Sequence, residues 1–400
     1  MHFVDFLRFE SAFADKSFMA LSQFLTLLVK QKGSDLHLAA HSSPMIRING
    51  DLMKIDVPAL KASEMESLMR EILSNDQMEE LGIQKSLDFA IRPEGVGLFR
   101  VNVFLQRFGL SAVFRSLSET VPSIEQLKLP AICKVACGYP NGLVLITGPT
   151  GSGKSTTLAS MINHINLNQR SHILTLEDPI EFRHESKRCM VNQREHGSHF
   201  TDFASALKGA LREDPDVILV GELRDPETIA LAITAAETGH LVFGTLHTNT
   251  AHKTVDRVID SFPSEQQNQI RSMLSESLRL VVSQKLIPSA DKKGRVAVHD
   301  ILVATHAVSS LIREGKTYQI PSLMQTGRKE GMVVMDQSLL ELVRGGSVDG
   351  RDAWEYANDK AAFSQWAPAE ALAVTNFSQA TQGQSPSRMT PPHAPVKKTG

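Results

Sequence analysis

Residues Gly148 to Ser155 read GPTGSGKS, a run whose residue types and spacing suit one chemistry, the holding of nucleotide phosphates. In the pattern G-x-x-x-x-G-K-[ST], the loop made by Gly148, Pro149, Thr150, Gly151, Ser152 and Gly153 wraps its backbone around the phosphates. Lys154 neutralises outer phosphate charge, the Ser155 hydroxyl holds Mg²⁺, and Thr156 lies beside them. Transfer of the terminal phosphoryl group to water asks for more: a held metal, an oriented water and neutralised charge. Candidates stand at the ends of apolar runs. ILTLEDPIE places Glu177, Asp178 and Glu181 just beyond one run, and DPDVILVGE places Glu222 at the end of another. TGHLVFGTLHT sets His240 before a run and His247 after it. Each has a plainer use: Glu177 or Asp178 as a turn cap, Glu222 as a surface partner of Arg224, the histidines as structural groups. Spacing alone leaves Glu177, Asp178 and Glu181 level as candidates for the base.

The flanks of the loop are those a phosphate site needs. Leu143 to Thr147 is a short apolar run suited to a buried parallel strand, and from Thr156 onward Leu158, Met161, Ile162 and Ile165 fall on one helix face. The helix N-terminus then adds free N–H groups and partial positive charge beneath the phosphates. From Gly142 the runs VLIT, HILTLE, DVILVGE and LVFGTLH alternate with helical segments, which predicts a mostly parallel sheet covered by helices. Ligands of such sheets bind at the carboxyl ends of the strands, where the acids lie. From Gln266 to Lys285, Ile270, Met273, Leu274, Leu278, Val281 and Val282 recur at helical spacing and predict a helix closed by Pro288.

Upstream the pattern differs. Ser17 to Lys32 reads as a helix stopped by Gly33, DLHLA, MIRI and DLMKI read as strands with a tight turn at Asn49-Gly50, and a second helix covers Ser63 to Leu73. LDFAI, LFRVNVFLQ and LSAVFR complete a small mixed domain. We therefore expect an extension over 1–20, an N-terminal α+β domain over 21–117, a connection over 118–130, an ATPase domain with C-terminal helices over 131–365, and a disordered tail over 366–400. The tail follows from a shift to Gln, Ser, Thr and Pro.

Four hundred residues suit two domains. A net charge of -2 supplies no global basic field, so nucleic acid is not an expected partner. No stretch of about 18 apolar residues predicts a membrane span, and the N-terminus does not read as a signal peptide. Cys133, Cys137 and Cys189 are too few for a four-ligand zinc site and read as buried thiols, so a cytoplasmic protein is expected.

Taken together, these motifs resemble one family, the type IV pilus retraction ATPases of the PilT/PilU kind, over about Leu21 to Lys360. GSDLHL, PMIRING and FRVNVF resemble the family's PAS-like N-terminal domain. GPTGSGKST is similar to its Walker A motif, ILTLEDPIEF to its Asp box, ALREDPDVILVGELRD to its Walker B motif, AETGHLVFGTLHT to its His box, and AVSSLIREGK to its C-terminal retraction motif. The resemblance implies a RecA-like P-loop ATPase domain that binds ATP and Mg²⁺. It makes Glu181 the catalytic glutamate, Glu222 the Walker B acid that holds Mg²⁺ partly through water, and His240 and His247 the His-box pair. It also makes Arg100 and Arg115 arginines that act on a nucleotide held by the adjoining subunit. It implies a homohexamer at the cytoplasmic face of the inner membrane, membrane-peripheral through its partners, with a pilus platform protein and a paralogous retraction or extension ATPase among them. An accessory motor of the PilU type is the nearest alternative, and a DNA-translocating relative a more distant one. QREHGSHFTDF departs from the family by carrying His196 and Gly197.

Overall fold

The computed structural model describes residues 6–7, 19–48, 50–117 and 120–368. Most of the expected extension, all but three residues of the expected tail, residues 118–119 of the expected connection and Asn49 of the expected turn lie outside them. The chain divides into two compact units, Met1–Leu127 with Pro179–Lys187, and Lys128–Asp178 with Arg188–Gly400.

The first unit runs β1 (Phe6–Leu7), α1 (Leu21–Lys30), β2 (Asp35–Ala39), β3 (Met45–Ile48), β4 (Asp51–Ile55), α2 (Ala62–Arg70), α3 (Asn75–Gln84), β5 (Ser86–Ile91), β6 (Leu98–Gln106) and β7 (Gly109–Leu117). Its sheet has the order β1-β4-β3-β2-β7-β6-β5 and is antiparallel except for the β1–β4 pair. Helix α1 buries Leu21, Phe24, Leu25 and Leu28, the spacing of one helical face. Strand β6 turns Phe99, Val101 and Val103 into the core, which leaves Arg100 and Asn102 on the opposite face. Helix α3 was not anticipated. Its signal is the run SNDQ, in which the Ser74 hydroxyl accepts from the Gln77 N–H at 3.2 Å while Gln77 accepts from the Ser74 N–H at 3.0 Å.

The second unit continues with α4 (Ala131–Ala136), β8 (Gly142–Thr147), α5 (Lys154–Asn168), β9 (His172–Glu177), β10 (Met190–Glu195), α6 (Phe203–Ala210), β11 (Val217–Val220), α7 (Pro226–Glu237), β12 (Leu241–Leu246), α8 (Ala251–Asp260), α9 (Ser264–Ser277), β13 (Leu278–Pro288) and β14 (Arg295–Val303). Helices α10 (His306–Arg313), α11 (Ile320–Thr326), α12 (Met335–Arg344) and α13 (Gly350–Tyr356) follow. The sheet order is β10-β9-β11-β12-β8-β13-β14, parallel throughout except for β14. The four apolar runs read in the sequence are β8, β9, β11 and β12. Strands β8, β11 and β12 are buried at every residue, as a sheet covered on both faces requires.

One expectation is overturned. The helix expected over Gln266 to Lys285 ends at Ser277, and Leu278 takes an extended ψ of 134° that starts β13. The apolar spacing of this stretch satisfies both periods, and the β-branched pair Val281-Val282 is decided by tertiary context. β13 lies between β8 and β14, pairs with both, and ends at Pro288 opposite Arg295.

Burial also fixes one titration. His299 on β14 is 6% exposed, and burial pushes its pKa down from the ordinary 6.5 to about 4. A pKa lower in the folded than in the unfolded chain means that stability is complete above pH 6.5 and falls as the pH drops toward 4, by on the order of 3 kcal/mol. Denaturant titrations at pH 7 and pH 4.5 are expected to show a smaller acid loss for His299→Leu than for the unaltered chain; equal losses would refute the assignment.

Candidate functional site: a phosphate loop on the edge of the parallel sheet

Strand register sets the site. Thr147 at the end of β8 pairs with Leu246 at the end of β12, Gly244 pairs with Val220 of β11, and Val220 pairs with Leu176 of β9. The residues just past these strands, Gly148, His247, Glu222 and Asp178, therefore share one sheet edge.

The loop leaves β8 at Gly148, whose φ of +142° and crowded surroundings admit no side chain: a Cβ there would stand 2.2 Å from the Gln284 carbonyl oxygen. α5 then starts at Lys154 with Gly153 as its N-cap, and no side chain caps it, so its first N–H groups point into the loop. The Lys154 ammonium donates to the carbonyls of Gly148 at 2.9 Å and Pro149 at 3.2 Å, which places it across the loop. Uncapped amides, an ammonium and the adjoining hydroxyls of Ser155 and Thr156 form a cradle for phosphate oxygens.

Glu222 is held by what surrounds it. The Gly221 N–H donates to the Leu176 carbonyl at 2.7 Å, the Leu223 N–H donates to the Thr245 carbonyl at 3.0 Å, and Leu223 is buried. Asp225 then caps α7 through the Thr228 N–H at 2.8 Å. Between these anchors, one Glu222 oxygen lies 2.8 Å from Arg224 Nη2 and the other 3.0 Å from His247 Nε2. Burial pushes the Glu222 carboxyl up, but the Arg224 hydrogen bond and the charges of Arg224, His247 and Lys154 outweigh it, so the pKa lies below the ordinary carboxylate value. The group is ionised at neutral pH. Carboxylate and hydroxyl oxygens on one edge are the hard donors Mg²⁺ takes, so the residues fit that ion.

Asp178 is 3.6 Å from Arg224 Nη1 and 4.0 Å from His196 Nδ1, so Arg224 spans two carboxylates. Glu177 accepts from the Thr175 hydroxyl at 2.7 Å and from Gln193 at 3.0 Å, a structural use. His240 is not on this edge. Its carbonyl accepts from the Gly142 N–H at the amino end of β8, and Nδ1 lies 3.0 Å from the Ala235 carbonyl oxygen. At about 3.3 Å per residue, β12 holds it roughly 20 Å from His247, so the two histidines do not form a pair at the loop of their own chain.

Three expected site residues belong to the first unit. Glu181 is exposed on the Pro179–Lys187 segment. Arg100 on β6 and Arg115 on β7 are directly opposite each other, and Asp35 on β2 is directly opposite Arg115. Like charges across a strand pair repel. Here Arg115 donates to Asp35 at 2.9 Å and Arg100 lies 3.8 Å from Asp88. Burial pushes the Asp35 carboxyl up, but hydrogen bonds from Arg115 and Ser34 and the neighbouring positive charge bring it below the ordinary value.

Sequence reasoning missed Gln284 and Asp300. Gln284 donates to the Ser152 carbonyl at 2.7 Å and accepts from the Thr157 hydroxyl at 3.0 Å. Asp300 accepts from the Ala251 N–H at 2.7 Å and the Met335 N–H at 3.1 Å, capping α8 and α12 together behind the His247 loop. The available signal was a polar residue inside the apolar runs VVSQKLI and AVHDILV.

A strand, glycine loop and helix at the carboxyl edge of a parallel sheet, with an ionised acid beside the loop lysine, define a P-loop nucleotide-binding protein. The chain belongs to the Type II/IV secretion system protein family, whose model matches residues 16–357. It is 54% identical over 309 residues to the twitching motility protein of Neisseria gonorrhoeae, covering 77% of this chain and 83% of that one. It is 50% identical over 339 residues to the type IV pilus retraction ATPase PilT of Pseudomonas aeruginosa, covering 85% and 98%. The crystal structure of the pilus retraction motor PilT with bound ADP superposes with a TM-score of 0.81 at 43% identity, over 87% of this chain and 99% of that one.

The two glycine environments make a prediction. Gly151 has a φ of +77° but open space around its Cβ position, whereas at Gly148 a Cβ meets backbone. Gly151→Ala is expected to cost only about 1–2 kcal/mol of left-handed strain, and Gly148→Ala clearly more. Thermal melts of the two variants check this; equal shifts would mean that the loop gives way at Gly148.

Proposed function

We propose that the chain is an ATPase that works as a homohexameric motor powering type IV pilus retraction, at the cytoplasmic face of the inner membrane and on a pilus platform protein there. One observation carries this reading: the phosphate loop and ionised Glu222 share a sheet edge in a chain half-identical to PilT over almost all of that relative. Among the described residues no helix is long and apolar enough to cross a membrane.

The residues divide the work. The loop amides and Lys154 bind and orient the triphosphate. Ser155 and Glu222 would hold Mg²⁺, Glu222 partly through water, and the ion would neutralise charge on the phosphates. Glu181 aims the attacking water and takes its proton. His247, whose Nε2 lies 3.0 Å from a Glu222 oxygen, reads the terminal phosphate from the strand end. Arg100 and Arg115 neutralise charge on a nucleotide held by a neighbouring copy, a contribution of about 10³ or more in rate when an arginine is supplied across a subunit boundary.

In the purified full chain, Lys154→Ala is expected to abolish ATP binding measured by calorimetry, together with pilus retraction in cells. Glu181→Gln is expected to bind ATP normally and to lose about 10²–10⁴ in turnover. Light scattering is expected to give six protomers per particle in the presence of ATP. Full turnover in Glu181→Gln would remove that residue from the chemistry, and absence of any heat on titrating ATP into the unaltered chain would sink the motor reading.

A further inference from the structure

β13 carries a glutamine where its neighbours are apolar. In LRLVVSQKLIP, Gln284 is 1% exposed. A buried amide is costly unless both of its ends are satisfied, and here one end is spent on the phosphate loop and the other on the helix that follows it. The side-chain N–H donates to the Ser152 carbonyl at 2.7 Å, and the side-chain oxygen accepts from the Thr157 hydroxyl at 3.0 Å in the first turn of α5. The backbone carbonyl of the same residue stands against Gly148, and its side-chain nitrogen would be 3.2 Å from a Cβ on Gly153. One residue thus touches the loop at its exit from β8, at its crest and at its junction with the helix.

Register explains the placement. Ser283 is the last residue of β13 paired with β8, opposite Thr147, so Gln284 is the first to run beside the loop and not beside a strand. On its other side it pairs with His299 of β14, which burial keeps uncharged at neutral pH.

We propose that Gln284 is a positioning residue for nucleotide binding, a clamp from a neighbouring strand that holds the phosphate loop and the start of α5 in one shape. The proposal rests on the reading of this loop as the ATP site. Gln284 touches no reacting atom. A loop that occupies its competent shape for only a fraction of the time binds with an affinity reduced by that fraction, so loss of the clamp acts on affinity and not on the chemical step.

The test uses the full chain, with ATP and ADP dissociation constants from calorimetry and KM and kcat from steady-state hydrolysis. Gln284→Leu is expected to raise KM and both dissociation constants by about tenfold, with kcat within about twofold of the unaltered chain. Thr157→Ser keeps the hydroxyl and is expected to match the unaltered chain, whereas Thr157→Val is expected to raise KM. Added to Gln284→Leu, Thr157→Val is expected to cost little more, because the two share a bond. If Gln284→Leu does not fold, the contrast between Thr157→Ser and Thr157→Val reads the same clamp. Unchanged KM in Gln284→Leu, or identical behaviour of the two Thr157 variants, overturns the proposal while leaving the ATP site intact. Absence of ATP binding by the unaltered chain overturns both.

Discussion

The nucleotide end of the second unit depends on a backbone contact with no room for a side chain. At Gly148 the chain leaves β8 against the carbonyl oxygen of Gln284, and any Cβ would stand 2.2 Å from it. That closeness turns the loop back over the strand end, so that α5 can start six residues later with its amides uncapped and facing the loop. The helix dipole and free N–H groups can serve phosphate only because no protein side chain has taken them. Lys154 then spans the loop through carbonyls of its first two residues, and the positive charge is set by the same turn.

Charge on this edge is balanced in pairs. Glu222 has both oxygens engaged, one by Arg224 and one by His247, and Arg224 reaches on to Asp178. Such a chain keeps a half-buried carboxylate ionised despite the pull of burial toward protonation. The anchors of Glu222 are backbone hydrogen bonds to β9 and β12 and the buried Leu223, so its position follows from the sheet itself. Strand ends are suitable supports for chemistry because their register is fixed by the buried faces of the sheet.

Much of this was legible in the sequence because it is local. The glycine loop, its strand and its helix are contiguous, and the apolar runs of β8, β9, β11 and β12 are short, β-rich and separated by helical patterns. What was not legible is non-local. The stretch from Gln266 to Lys285 carries a spacing compatible with helix, and only its place between β8 and β14 makes the second half a strand. The roles of Gln284 and Asp300 depend on partners more than a hundred residues away in the first case and about fifty and thirty-five in the second. The family resemblance pairs His240 with His247, yet the six residues of β12 hold the two at opposite ends of one strand.

The arginines of the first unit show the same logic in a different sheet. Arg100 and Arg115 are directly opposite on β6 and β7, an arrangement that costs stability through like-charge repulsion. The sheet offsets that cost with acids on both flanks, Asp35 beside Arg115 and Asp88 near Arg100, and both guanidiniums remain substantially exposed. Across the strands the row reads Asp35, Arg115, Arg100, with the two guanidiniums adjacent on one face. Two planar donor forks side by side suit an anion with several oxygens better than any single carboxylate, which is what the role proposed for this pair asks of it.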